Sequence, residues 1–82
     1  MAAKYAYMLK PAGKEKCIKN EFYLQETSVY KGYTEKIFDM LFKSKEPLTV
    51  REISMATGIR SISVSAVITF NIYAGYILRL PL

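Results

Sequence analysis

Few side chains in this sequence could do covalent chemistry. Histidine is absent and Cys17 is the only cysteine, so a thiol nucleophile would have no imidazole to take its proton. No Cys, His, Asp or Glu residues stand at metal-ligand spacing, no glycine-rich loop is placed to cradle phosphate, and no hydroxyl has an evident base. The expectation is a protein that is not an enzyme and holds no cofactor and no metal. What remains is recognition chemistry of two kinds. Lys43, Lys45, Thr49, Arg51, Arg60, Ser61, Ser63 and Arg79 offer cations and hydroxyls suited to anions and base edges. Ile62, Ala66, Thr69, Phe70 and Tyr73 recur at helical spacing and would form an apolar stripe. A single surface lysine or arginine is ordinarily a solvated charge, so the meaning of these residues depends on the elements that carry them.

Those elements lie in residues 48–80. Thr49-Val50-Arg51-Glu52 has the form of a capping box, with the threonine side chain bonding forward and the glutamate bonding back. Leu48 and Ile53 stand at the staple positions around it. A helix over 50–57 follows, closed by Gly58, where a left-handed backbone suits glycine alone. Ile59 would fill the angle after the turn, and Ser54 is small enough for the next helix to approach. That helix begins at Arg60 or Ser61 and runs to about Ala74, with Val64, Val67, Ile68 and Ile72 as its core face. Asn71 falls inside that face, where a buried amide needs partners. Residues 61–70 are rich in Ser, Val, Ile and Thr, which are poor helix formers; the preceding helix and Gly58 outweigh the strand reading. Gly75 ends the helix, and 76–80 is expected to be a strand.

Upstream, Thr34 is suited to cap a helix over 35–44, with Tyr33 and Phe38 as its staple and Ile37, Phe38, Leu41 and Phe42 facing the core. Pro47 stops it. Residues 1–33 form an arm, either a β-hairpin or partly ordered. The alternation in 4–9 suggests one strand, Pro11-Ala12-Gly13 a turn, 14–20 an exposed link, and 21–30 a second strand. Tyr5, Tyr7, Tyr23, Tyr30 and Tyr33 lie among lysines and could stack on single-stranded bases; half-burial in a small sheet is the plainer expectation.

The 82 residues, about half of them apolar, suffice for one small domain that often gains stability from a partner. The formal charge of +5 favours anionic partners. It is spread out, with residues 1–31 carrying +3 and residues 32–82 carrying +2. A lone cysteine gives no internal disulfide, and the amino terminus has no apolar core followed by small residues, so the cytoplasm is the expected compartment. Residues 61–78 are free of charge and of borderline length for a membrane helix. Their serines, Thr69, Asn71 and Gly75 make a span an outside alternative.

Leu48-Thr49-Val50, Glu52-Ile53, Thr57-Gly58-Ile59, Val64, Ile68 and Ala74-Gly75-Tyr76-Ile77 together resemble the winged helix-turn-helix domains of transcriptional regulators. They look most like the small winged-helix domain that ends the DNA-processing A family of competence proteins. The resemblance implies a mainly α domain with a small β element over 34–82: a three-helix core plus a short strand or hairpin. Asn71 departs from the family pattern, which usually has a large aliphatic residue there. Only one strand follows the helix, so a wing hairpin would need an amino-terminal strand to complete it. Nothing here corresponds to that family's large nucleotide-fold domain, so its main activity is not implied.

In such a fold the second helix of the pair enters the major groove with its first residues at the base edges. That places Arg60, Ser61, Ile62, Ser63 and Ala66 at the base edges, where Arg60 and the serines could bond bases or phosphate, with Lys43, Lys45, Thr49, Arg51 and Arg79 at the phosphates. The expected partner is double-stranded DNA, and the expected role a transcriptional regulator or DNA-transaction accessory. The apolar stripe supports a different expectation, a protein interaction module with helix 61–74 in a homodimer or hetero-complex.

Overall fold

The structure, a computed structural model, describes residues 3–19 and 30–82. The elements run β1 (Tyr5–Leu9), α1 (Pro11–Lys19), α2 (Tyr30–Lys43), α3 (Val50–Thr57), α4 (Ser61–Tyr73) and β2 (Ile77–Pro81). Over the described residues the protein is thus mainly helical, with an antiparallel two-stranded sheet. The strand expected over 21–30 lies outside the described residues, except Tyr30, which begins α2.

The α3–α4 pair follows local sequence signals closely. The Thr49 hydroxyl accepts from the Glu52 amide at 3.1 Å and the Glu52 carboxylate accepts from the Thr49 amide at 2.9 Å. Two of the donors that every helix start leaves unpaired are thereby satisfied. Gly58, at φ 75°, donates its amide to the Ser54 carbonyl, the left-handed stop that relieves the last turn. Ser54 does more than leave room: its hydroxyl donates to the Ile59 carbonyl at 2.6 Å. The Thr57 hydroxyl donates to the Ile53 carbonyl at 2.7 Å and accepts from the Ile59 amide at 3.3 Å. Two hydroxyls therefore brace the turn, and α4 departs at 118° to α3.

At its far end α4 closes in a Schellman arrangement. The Tyr76 amide donates to the Asn71 carbonyl and the Gly75 amide to the Ile72 carbonyl, with Gly75 at φ 86°. The chain then turns back as β2. β1 runs antiparallel to it, with Tyr5 opposite Pro81, Tyr7 opposite Arg79 and Leu9 opposite Ile77. On its other side β1 exchanges two backbone hydrogen bonds, at 2.8 and 2.9 Å, between Tyr7 and Leu48. β1 is thus the middle strand between β2 and the residue that leads into α3.

Upstream of α3 the structure differs from several expectations. Pro11-Ala12-Gly13 is the first turn of α1 and not a free-standing turn; proline at the first helical position loses no bond, because that amide has no helical partner. Residues 14–19 continue this helix, and Lys16 is buried on it. Gly13 is needed there: a Cβ would collide with the Tyr76 carbonyl oxygen. Thr34 does not cap α2, which begins a turn earlier at Tyr30; it is buried inside the helix. The helix continues upstream of Thr34, so the residue is interior to it and has no N-cap role. Tyr33 and Phe38, expected as its staple, both lie within α2; Tyr33 packs against the core and Phe38 meets the Tyr76 ring edge-on, centroids 6.2 Å apart.

One core holds these parts together. Leu9, Ile37, Phe38, Leu41, Ile53, Ile59, Val64, Val67, Ile68 and Ile77 are buried against each other. Phe42, expected among them, is exposed, and Ile72 is only half-buried. Asn71 occupies the core position at 2 % exposure. Its Nδ2 donates to the Val67 carbonyl at 2.7 Å, while its Oδ1 has no partner among the described residues. Tyr76 joins four elements: its ring packs on Phe38 of α2, its carbonyl accepts from Lys10 ahead of α1, its amide bonds α4, and it leads into β2. The Lys16 ammonium sits 4.7 Å from the centre of the same ring, a placement that helps a buried cation.

Candidate functional site

The side chains singled out for recognition fall into three groups. Arg60 stands at the N-cap of α4, exposed and making no side-chain capping bond, with Ser61 exposed and Ser63 half-buried in the first turn. Arg51 is exposed at the start of α3, with about 9 Å of helix between it and Thr57, and Arg60 follows the turn beyond. Thr49 beside it already uses its hydroxyl oxygen in the capping box. These residues share the helix pair and its turn.

Arg79 is on β2, its guanidinium 5.0 Å from the centre of the Tyr5 ring. The two are diagonal neighbours across the β1–β2 ladder, where long side chains reach each other. Tyr5, named above only for stacking on bases or half-burial, thus joins Arg79 in a pairing that sequence reasoning missed, because it depends on a register between the two ends of the described chain. Lys43 is differently employed: its ammonium pairs with Asp39 at 3.0 Å, one turn back on α2. Lys45 lies in the link after α2, exposed.

The apolar stripe is bare. Ile62, Phe70 and Tyr73 are 77 %, 71 % and 87 % exposed, and Ala66 and Thr69 between them are exposed too. Met55 on α3 adds a further exposed apolar side chain. No charged residue occurs within α4, and no Asp or Glu occurs anywhere in 53–82. Among the described residues the acidic side chains lie elsewhere: Glu15 on α1, Glu35 and Asp39 on α2, Glu46 in the link, and Glu52 committed to its cap.

A concavity of about 580 Å³ opens between α1 and α2 beside Cys17, Ile18, Asp39 and Phe42. Its thiol is chemically quiet. Burial, and then the negative field of Asp39, push the Cys17 pKa up to about 11 against a partial offset from Lys16, so little thiolate exists at neutral pH. Among the described residues no group of His, Cys, Asp or Glu could hold a metal ion. Nor is any single helix there long and apolar enough to cross a membrane; α3 and α4 reach that length only as a pair bent by 118°.

No family model, curated protein or solved structure matches this chain.

Proposed function

We propose that this protein is a winged helix-turn-helix that binds double-stranded DNA through α4, as a transcriptional regulator or an accessory of DNA transactions. The observation that carries the reading is the outer surface of α4: exposed, acid-free, led by Arg60 and held at 118° to α3. Helix pairs crossing at this angle through a short glycine-containing turn are the form in which a second helix projects into a major groove. Arg51, Arg60 and Arg79 supply phosphate contacts, helped by the positive end of the α4 dipole. The β1–β2 ribbon, whose β2 follows α4 and whose β1 is bridged through Tyr7 to Leu48 ahead of α3, supports the winged form of this reading.

Three phosphate contacts per chain set a modest salt dependence. The logarithm of the affinity should fall with the logarithm of salt at a slope of about −3. Titration of a labelled duplex by fluorescence anisotropy measures it. Replacing Arg51 and Arg60 together by alanine should remove about two units of that slope. Absence of any duplex binding at low salt defeats the reading.

The exposure of Phe70 and Tyr73 favours a second reading, a protein contact through the carboxy-terminal part of the same helix. It predicts a dimer or complex in solution that Phe70→Asp or Tyr73→Asp dissociates, seen by light scattering. A chain that is monomeric before and after these changes, and that recruits no partner, removes it.

A further inference from the structure

A helix in the major groove meets donor and acceptor edges and, at thymine, a methyl group. Reading adenine or guanine edges with paired hydrogen bonds needs Asn, Gln, Arg or Lys on the outer face. α4 has none of these outside: its one amide, Asn71, is buried and bonded to the Val67 carbonyl, and Arg60 lies at the cap. The outer face instead presents Ile62, Ala66 and Thr69, all exposed and aligned at successive turns. From Ile62 to Thr69 the helix rises about 10 Å, the length of about three base steps. Such a face could equally suit a protein, but no Asp or Glu side chain occurs in 53–82 to repel phosphate, and the charged side chains there are Arg60 and Arg79. That balance favours a polyanion as the occupant.

Resting on the duplex-DNA reading above, we infer that α4 selects A·T-rich duplex by packing Ile62, Ala66 and the Thr69 methyl against thymine 5-methyl groups, with Arg60 holding the backbone. The full chain is titrated at low salt against an alternating A·T duplex and against the same duplex with deoxyuridine in place of thymidine. A G·C duplex, with and without 5-methylcytosine, completes the set. Each methyl buried is worth about fourfold, so burying two or three of them should make the thymidine duplex bind about 15- to 60-fold tighter than the deoxyuridine one. Methylation of cytosine should tighten the G·C duplex in the same sense. Ile62→Ser, an exposed position, should shrink the thymidine–deoxyuridine gap and leave the salt slope unchanged. Equal binding to the two A·T duplexes overturns the inference while the duplex reading stands. Binding to no duplex takes both down, and the two failures are told apart by that difference.

Discussion

α2 and α4 pack against the same core and turn very different surfaces to solvent. Their inner faces are alike: Ile37, Phe38 and Leu41 on one, Val64, Val67 and Ile68 on the other. Outside, α2 carries Glu35, Lys36, Asp39 and Lys43, with Asp39 and Lys43 paired one turn apart. That is how a helix facing water usually looks. α4 carries Ile62, Ala66, Thr69, Phe70 and Tyr73 and no charge. Removing that surface from water would be favourable, so the contrast distinguishes a helix finished by folding from one suited to a further contact.

The largest effects should come from the inner faces, and there the helices should respond equally. Phe38→Ala should cost about 3–5 kcal/mol and Ile68→Ala about 2–5, against about 4–12 kcal/mol available to a domain this size. Either change should leave a chain largely unfolded in urea titration. Tyr73→Asp, on the outer face of α4, should stay within about 0.5 kcal/mol of the parent while changing what the protein binds. A comparable loss of stability from Tyr73→Asp would mean that its side chain is covered, and the contrast between the two surfaces would fail.

Gly13→Ala tests how the amino-terminal elements are joined to α4 and β2. The added Cβ meets the Tyr76 carbonyl oxygen, which is backbone and already accepts from Lys10. Overpacking of this kind costs about 1–3 kcal/mol, read as a lower urea midpoint at unchanged slope. Asn71→Leu should act in the opposite direction. It removes an orphaned Oδ1 from the α4 core face, which should raise stability by about 1 kcal/mol or more. A destabilised leucine variant would mean that a water or a neighbour satisfies that oxygen.

The ease of reading the sequence followed the range of the interactions. α3 was legible to its ends because Thr49, Glu52 and Gly58 act within a few residues of each other. The core stripe of α4 and the anomaly at Asn71 were legible from periodicity. α1 was not, because Pro11 and Gly13 serve a turn or a helix start equally well, and contact with Tyr76, distant in the chain, decides between them. Thr34 misled for a related reason: capping is a local possibility that the upstream extension of α2 overrode. Among the candidate recognition residues, Arg51, Arg60 and Ser61 were placed by local signals. The pairing of Lys43 with Asp39 and the stacking of Arg79 on Tyr5 needed helix phase and strand register. The outer stripe of α4 was visible as a pattern, but apolar exposure has no direction and does not name its occupant.

The smallest effect tests whether α2's outer charges are felt beyond their own helix. Asp39→Asn breaks an exposed pair worth about 0.3–0.5 kcal/mol, close to the limit of an unfolding measurement. Its clearer consequence should be at Cys17, whose pKa rises from 9.0 to about 11 through burial first and Asp39 second. Because the folded value lies above the unfolded one, the neutral thiol stabilises the fold fully below pH 9.0, and that contribution fades as pH rises toward about 11. Removing Asp39 lowers the folded pKa part of the way, so alkylation of Cys17 by iodoacetamide should accelerate at mildly alkaline pH. The loss of stability on raising pH should shrink in the same variant, and Cys17→Ser in each background isolates the thiol from the other titrating groups. An alkylation rate unchanged by Asp39→Asn would leave burial as the whole cause and confine α2's surface charges to ordinary solvation.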